Sequence, residues 1–274
     1  MRFSISFLAV ALSSLFGQQP PARNEAANWL NQGIDAYRHG QFEQAADDFE
    51  KAADLDPTNP NAHFYVGLAC VMLYVPGSDF PDNIMYFERA KTSLKRTLEI
   101  SPNFPPAIAS LAKLIFQQAQ GTRDPDDKLR QLDEARDWYR KSAAFDSLNR
   151  EVWYSLGTVS WMKCHLALTA ARSQLGMKPG DPGPLPDPAV RRKLITTCGP
   201  LIEDSVTNLE KALGLDRRYD QAMETMHELL RDRADLRDSP AEYLQDIAEA
   251  GQWEQRATET RRTRPPVPPR AQRN

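Results

Sequence analysis

The residues best suited to chemistry in this 274-residue chain are the neighbours Cys164 and His165, with Cys198 further along. A covalent haem attachment would need a second cysteine at position 161, where Trp161 stands, so haem in its usual form is excluded. Cys164, His165 and Cys198 supply three metal donors, but adjacent helical residues point about 100° apart. No fourth donor is evident, so no metal is expected. His39, His63 and His227 are scattered along the chain and read as surface or packing histidines. The acidic pairs Asp47-Asp48 and Asp126-Asp127 fall on helix surface or in inserted segments, where such runs solubilise and cap. The chain has no Gly-x-Ser-x-Gly, His-Glu-x-x-His, Gly-x-x-x-x-Gly-Lys or Gly-x-Gly-x-x-Gly. The expectation is a protein that is not an enzyme, with no catalytic residue, no cofactor and no metal.

The elements that would carry these residues are helical. The chain is 41% hydrophobic and 26% charged, with only 13 Gly, which excludes a collagen, a membrane bundle and wholesale disorder. Its net charge of −3 conceals a split: residues 23–260 carry −9, and 261–274 carry +5 from Arg261, Arg262, Arg264, Arg270 and Arg273. Outside that tail the basic residues do not cluster, so no nucleic acid partner is expected.

At the start, Met1-Arg2 precedes an uncharged run, Phe3 to Phe16, followed by Gly17-Gln18-Gln19-Pro20-Pro21. This reads as a secretory signal with a short linker over 1–22, too short to remain as a membrane span. The expected location is therefore periplasmic or secreted, with no permanent membrane span after cleavage. In an oxidising compartment, Cys164 and Cys198 flank a long inserted segment and a disulfide between them is possible, worth roughly 4 kcal/mol in the chain-entropy model. Cys70 is then the odd, buried thiol. The Pro-Pro-Val-Pro-Pro stretch within 263–274 cannot continue a helix and reads as a solvated basic tail.

A repeat dominates the rest. The segments Asp56-Pro57-Thr58-Asn59, Ser101-Pro102-Asn103-Phe104 and Asp146-Ser147-Leu148-Asn149 recur every 45 residues. Each closes an amphipathic helix carrying a small residue (Ala45, Ala90, Ala135), then a large one (Phe49, Leu94, Tyr139), then a small one (Ala52, Thr97, Ser142). The i, i+4, i+7 spacing puts all three on one helix face.

These residues resemble the tetratricopeptide repeat, a helix-turn-helix unit. Residues 26–59 match its pattern without a gap: Trp29, Gly33, Tyr37, Gly40, Phe42, Ala45, Phe49, Ala52 and the Asp-Pro end. The resemblance implies an all-α, right-handed solenoid of about four to five units: 26–59, 60–104, 105–149, 150–219 and a degenerate capping unit, 220–262. Insertions fall between the helices of the second, third and fourth units, at about 74–84, 119–129 and 166–200. The last holds Gly176, Gly180 and Gly183 among several prolines and reads as a loop or flap. Ser239-Pro240-Ala241-Glu242 predicts a capped final helix over about 240–262.

The resemblance further implies a concave groove lined by the first helix of each unit. Its residues would be Leu30, Ile34, Tyr37, Phe64, Leu68, Val71, Lys113, Phe116, Tyr154 and Trp161. Leu30 and Ile34 stand where relatives that clamp a terminal carboxylate have Lys and Asn, so that activity is not carried over. Two readings of the apolar lining stand open: a docking surface for a protein partner, or core buried beneath the chain's own insertions. The function expected is an exported, non-catalytic scaffold binding a partner in the groove and along the insertion edge. The alternative is a periplasmic carrier of a small apolar or anionic ligand.

Overall fold

The computed structural model describes residues 21–178 and 180–264, and among them the chain forms ten α-helices. The expected leader over 3–16 and the Pro/Arg tail from 265 onward lie outside the described residues. The helices are α1 (Pro21–Arg38), α2 (Phe42–Leu55), α3 (Pro60–Leu73), α4 (Pro81–Ile100), α5 (Pro105–Gly121), α6 (Pro125–Phe145), α7 (Arg150–Gln174), α8 (Pro188–Leu215), α9 (Asp220–Asp235) and α10 (Pro240–Arg262). They pair in sequence as α1/α2, α3/α4, α5/α6, α7/α8 and α9/α10, and each hairpin packs on the next. The architecture is an all-α solenoid of helix-turn-helix repeats.

The repeated turn between hairpins is built from its own side chains. Asp56 accepts from the Thr58 hydroxyl at 2.8 Å, and Asn59 caps α3 by accepting from Asn61 N–H at 3.0 Å, with Pro60 at the first helical position. The turns at Asp146 and Asp216 repeat the theme: each aspartate accepts from the N–H two residues on, at 3.2 and 2.8 Å. Asn149 caps α7 through Glu151 N–H at 3.0 Å. Orphan helix donors are thereby satisfied locally, and each turn ends one hairpin and starts the next.

Most of the inserted sequence is helix, which corrects the expectation of a loop or flap over about 166–200. The extra residues lengthen α4, α6, α7 and α8 to 20, 21, 25 and 28 residues, so that paired helical arms project on one edge. Within the insertions the described non-helical residues are 74–80, 122–124, 175–178 and 180–187. The stretch 166–174 is rich in Ala and Leu, good helix formers, and most of the helix-breaking Gly and Pro fall from Gly176 to Pro188, while Gly199 and Pro200 are carried within α8. Asp187 then caps α8 by accepting from Ala189 and Val190 N–H.

Small residues let the paired helices approach. A Cβ added at Gly33 would fall 2.5 Å from the Phe49 ring, and one at Gly67 would fall 2.7 Å from Leu94 Cγ. Gly157 stands in the same relation to Leu209, at 2.8 Å. One apolar core runs from α1 into α7 and a second from α7 to α10, with Trp153 packed against both. At the end of the stack the Ser239 hydroxyl caps α10, accepting from Glu242 N–H at 3.2 Å and donating to Glu242 Oε2 at 2.8 Å.

Candidate functional site: the concave face

Among the first helices of the hairpins, α3 packs on α5 and α7 on α9. Helix α1 carries Leu30, Ile34 and Tyr37; α3 carries Phe64, Leu68 and Val71; α5 carries Lys113 and Phe116; α7 carries Tyr154 and Trp161. Eight of these ten side chains are half-buried, while Lys113 is exposed. Phe116 is taken into the core, 8% exposed and edge-on to Tyr139. The half-buried aromatics are held from behind: Tyr37 by Phe42 at 5.1 Å, Phe64 by Phe104 at 5.2 Å and Tyr154 by Tyr219 at 5.1 Å between ring centroids. Rings fixed on one side and open on the other lose little entropy when a ligand covers them.

Polar groups converge between α7 and α9. Trp161 Nε1–H donates to Asp232 Oδ2 at 2.8 Å, and His165 Nδ1 lies 3.0 Å from the same oxygen. The Asp232 hydrogen bond, outweighing burial, raises the His165 pKa above its ordinary value, with further help from the charges of Asp232 and Glu228. Thr169 Oγ1 lies 3.5 Å from His165 Nε2, which superficially resembles a nucleophile, base and acid in line. The hydroxyl is exposed and at the limit of hydrogen-bonding distance. Among the described residues no group of three or more His, Cys, Asp or Glu side chains could hold a metal ion.

The His165–Asp232 pair makes a pH-dependent contribution whose sign is fixed. A histidine whose folded pKa exceeds its unfolded value stabilises fully below the unfolded value and loses that contribution as pH rises through the folded one. In an NMR titration, His165 is expected to titrate above 6.5, the ordinary value. Asp232→Asn should bring the midpoint down. A wild-type midpoint at or below the ordinary value would contradict the pairing.

The loop 175–187 does not cover the predicted groove residues of α1 and α3. It is pinned instead to the α9–α10 turn, where Leu185 N–H donates to Asp235 O at 3.0 Å and Gly183 N–H to the Tyr243 hydroxyl at 3.1 Å. Arg172 ties the loop to the helices, donating to Asp235 Oδ2 at 2.7 Å and Asp181 O at 2.6 Å. Burial raises the Asp235 pKa although Arg172 opposes it. Between this loop, α7, α9 and α10 lies a cavity of about 610 Å³, lined by apolar Leu168, Met177 and Ile247 and by charged Lys178, Glu228 and Arg231. The 74–80 segment is held to α4 by Asn83, which bonds Val75 and Ser78, and it packs against the end of α5, where Gly77 meets Gly121.

The three cysteines are free and buried. Cys164 and Cys198 face each other across α7 and α8, with Cys198 Sγ 3.7 Å from Cys164 O. Sequence reasoning missed Asp232, Asp235, Arg172 and Tyr243. Trp161 and His165 share one face of α7 by their i, i+4 spacing, which was a usable signal. Their partner Asp232 lies 67 positions beyond His165, and only the stacking of α9 on α7 joins them.

A family model described as "TPR repeat" matches residues 33–73. No curated protein matches the chain. Among solved structures, the chain is similar to "MamA 41-end from Desulfovibrio magneticus RS-1", at 14% identity and TM-score 0.57, over 88% of this chain and 97% of that one. It is similar also to a MamA RS-1 double mutant, at 15% identity and TM-score 0.56, over 87% and 96%. A further crystal structure of MamA matches at 14% identity and TM-score 0.55, over 89% and 99%. Against these likenesses the expectation of export is withdrawn. Neither a secreted or envelope scaffold nor a periplasmic carrier is carried forward. Among the described residues no helix is long and apolar enough to cross a membrane. At such identities the likeness is one of fold, and the fold is that of a tetratricopeptide-type solenoid with a matching TPR repeat at residues 33–73.

Proposed function

We propose that this chain is a non-catalytic scaffold that binds a segment of a protein partner on the concave face formed by α1, α3, α5, α7 and α9. The observation that carries this reading is the row of half-buried apolar and aromatic side chains, Leu30 to Trp161, with Tyr37, Phe64 and Tyr154 backed by packed rings. A partner segment with apolar anchors would complete their burial, and aromatic anchors of this kind dominate binding energy where they are well enclosed. The hairpin units set out from the sequence, 26–59, 60–104, 105–149 and 150–219 with a cap at 220–262, are the frame of the reading: each contributes one first helix to the face.

The test is Trp161→Ala in a titration against the partner recovered by cross-linking from the source cells. The affinity is expected to fall about tenfold to a hundredfold, with only a modest change in melting temperature because Trp161 is half-buried. Lys193→Ala, an exposed position on α8, should leave binding intact. Wild-type affinity in Trp161→Ala would remove α7 from the binding face.

A further inference from the structure

Cys164 and Cys198 are each 0% exposed, in the second apolar core. Cys164 lies on the buried side of α7 with Leu168 one turn on, and Cys198 sits one turn from the buried Leu194 and Ile202 of α8. Cys198 Sγ lies 3.7 Å from the backbone O of Cys164, which sets the two thiols against each other across α7 and α8. Cys70 provides the internal contrast. It is equally buried, and burial pushes its thiol up to about 11. Cys198 is displaced the other way, because the Cys164 thiol donates to its ionised sulfur and outweighs burial. A cysteine that serves only as a small apolar filler needs no second sulfur beside it.

We propose that Cys164 and Cys198 are a redox-sensitive dithiol that closes to a disulfide on exposure to a hydroperoxide, tying α7 to α8 directly behind Trp161 and His165. The proposal rests on the packing of α7 on α8 and is independent of the binding role. In the first step the Cys198 thiolate attacks one peroxide oxygen; the O–O bond breaks, hydroxide leaves and Cys198 becomes a sulfenic acid. In the second the Cys164 sulfur attacks the sulfenic sulfur, the S–O bond breaks, and the oxygen leaves as water with the Cys164 proton. Two thiols thus lose two electrons, and hydrogen peroxide is reduced to two waters. The oxidant is small enough to enter through local opening of the projecting α7–α8 arms, so the reaction is slow but open to the folded chain.

The experiment treats the purified full chain, freed of reductant, with hydrogen peroxide, blocks remaining thiols with N-ethylmaleimide and maps peptides without reduction. The expected product links the peptide of Cys164 to that of Cys198, leaves Cys70 alkylated and reverts with dithiothreitol. The melting temperature of the linked form should rise by roughly 5 °C. Cys164→Ser and Cys198→Ser should each abolish the linked peptide, whereas Cys70→Ser should keep it. Three results would overturn the proposal: both thiols alkylated under peroxide that oxidises the unfolded chain, oxidation of either to sulfinic acid without a link, or a bridge that involves Cys70. The mapping of the wild-type chain decides among these even if a serine variant fails to fold.

Discussion

Replacing Asp246 by Ala is expected to lower the unfolding free energy by about 3 kcal/mol and to release α10 before the rest of the stack. Asp246 is 2% exposed and is gripped by two arginines. Arg233 donates to it at 2.6 and 3.1 Å, and Arg237 at 2.6 and 3.2 Å. Arg233 lies in α9 and Arg237 in the turn that follows, so one carboxylate fastens the last helix to both. Removing it leaves two guanidinium groups crowded together without their shared counter-charge. Their side chains are 25% and 35% exposed and can turn partly to water, which places the cost at the lower end of the range for a broken buried pair. Hydrogen exchange should show the α10 amides losing protection first, since α10 packs mainly on α9 and closes the end of the stack. Equal loss of protection in α1 and α10 would contradict this account.

The same carboxylate sets an acid limit. Burial opposes its ionisation, but the hydrogen bonds from Arg237 and Arg233 outweigh burial and hold its pKa below the ordinary 3.8. A depressed folded pKa means that the contribution is complete above the unfolded value and is lost as pH falls through the folded one. The stability difference between wild type and Asp246→Ala should therefore be constant near neutrality and shrink only under acid conditions. Asp246→Asn, which keeps the shape without the charge, should fall between the two.

The repeat was legible because it is written in local signals. The pairing of Gly33 with Phe49 and of Gly67 with Leu94, the Asp-Pro turns, and the helix cap at Ser239 each depend on residues a few positions apart or recurring at a fixed period. The inserted segment was misjudged because its glycines and prolines were allowed to speak for neighbours that are themselves good helix formers. Of the side chains expected on the concave face, eight are half-buried and Lys113 is exposed, whereas Phe116 turns to Tyr139. The polar cluster was not legible. Trp161, His165 and Asp232 meet only because α9 stacks on α7, and no period in the sequence encodes which carboxylate of α9 meets which turn of α7. The dithiol lies between these cases: both cysteines were visible, but only the packing of α7 on α8 sets one sulfur against the other.

A double-mutant cycle at Gly67 and Leu94 should show strong coupling, and it tests what holds each hairpin together. Leu94 is 0% exposed, and a Cβ at residue 67 would lie 2.7 and 2.9 Å from its Cγ and Cδ2. Gly67→Ala alone should cost about 2 kcal/mol through overpacking, because a fully enclosed leucine has no room to withdraw. Leu94→Ala alone should cost about 3 kcal/mol, the lost transfer energy plus a cavity against Gly67. With both changes the new methyl group occupies part of the vacated space, so the double variant should be more stable than the sum predicts by about 1 kcal/mol or more. The equivalent cycle at Gly157 and Leu209 should recover less. There the added Cβ also meets backbone, Ser205 O at 3.1 Å, and the Ser205 hydroxyl donates to Gly157 O at 2.8 Å, which fixes that approach whatever stands at 209. At Gly67 the nearest backbone atom, Ala90 O, is 3.4 Å away and can yield by a few tenths of an ångström. Denaturant melts of the six variants and wild type decide the matter. Additivity at both sites would mean that the helices settle apart freely, and that the glycines are not what sets their spacing.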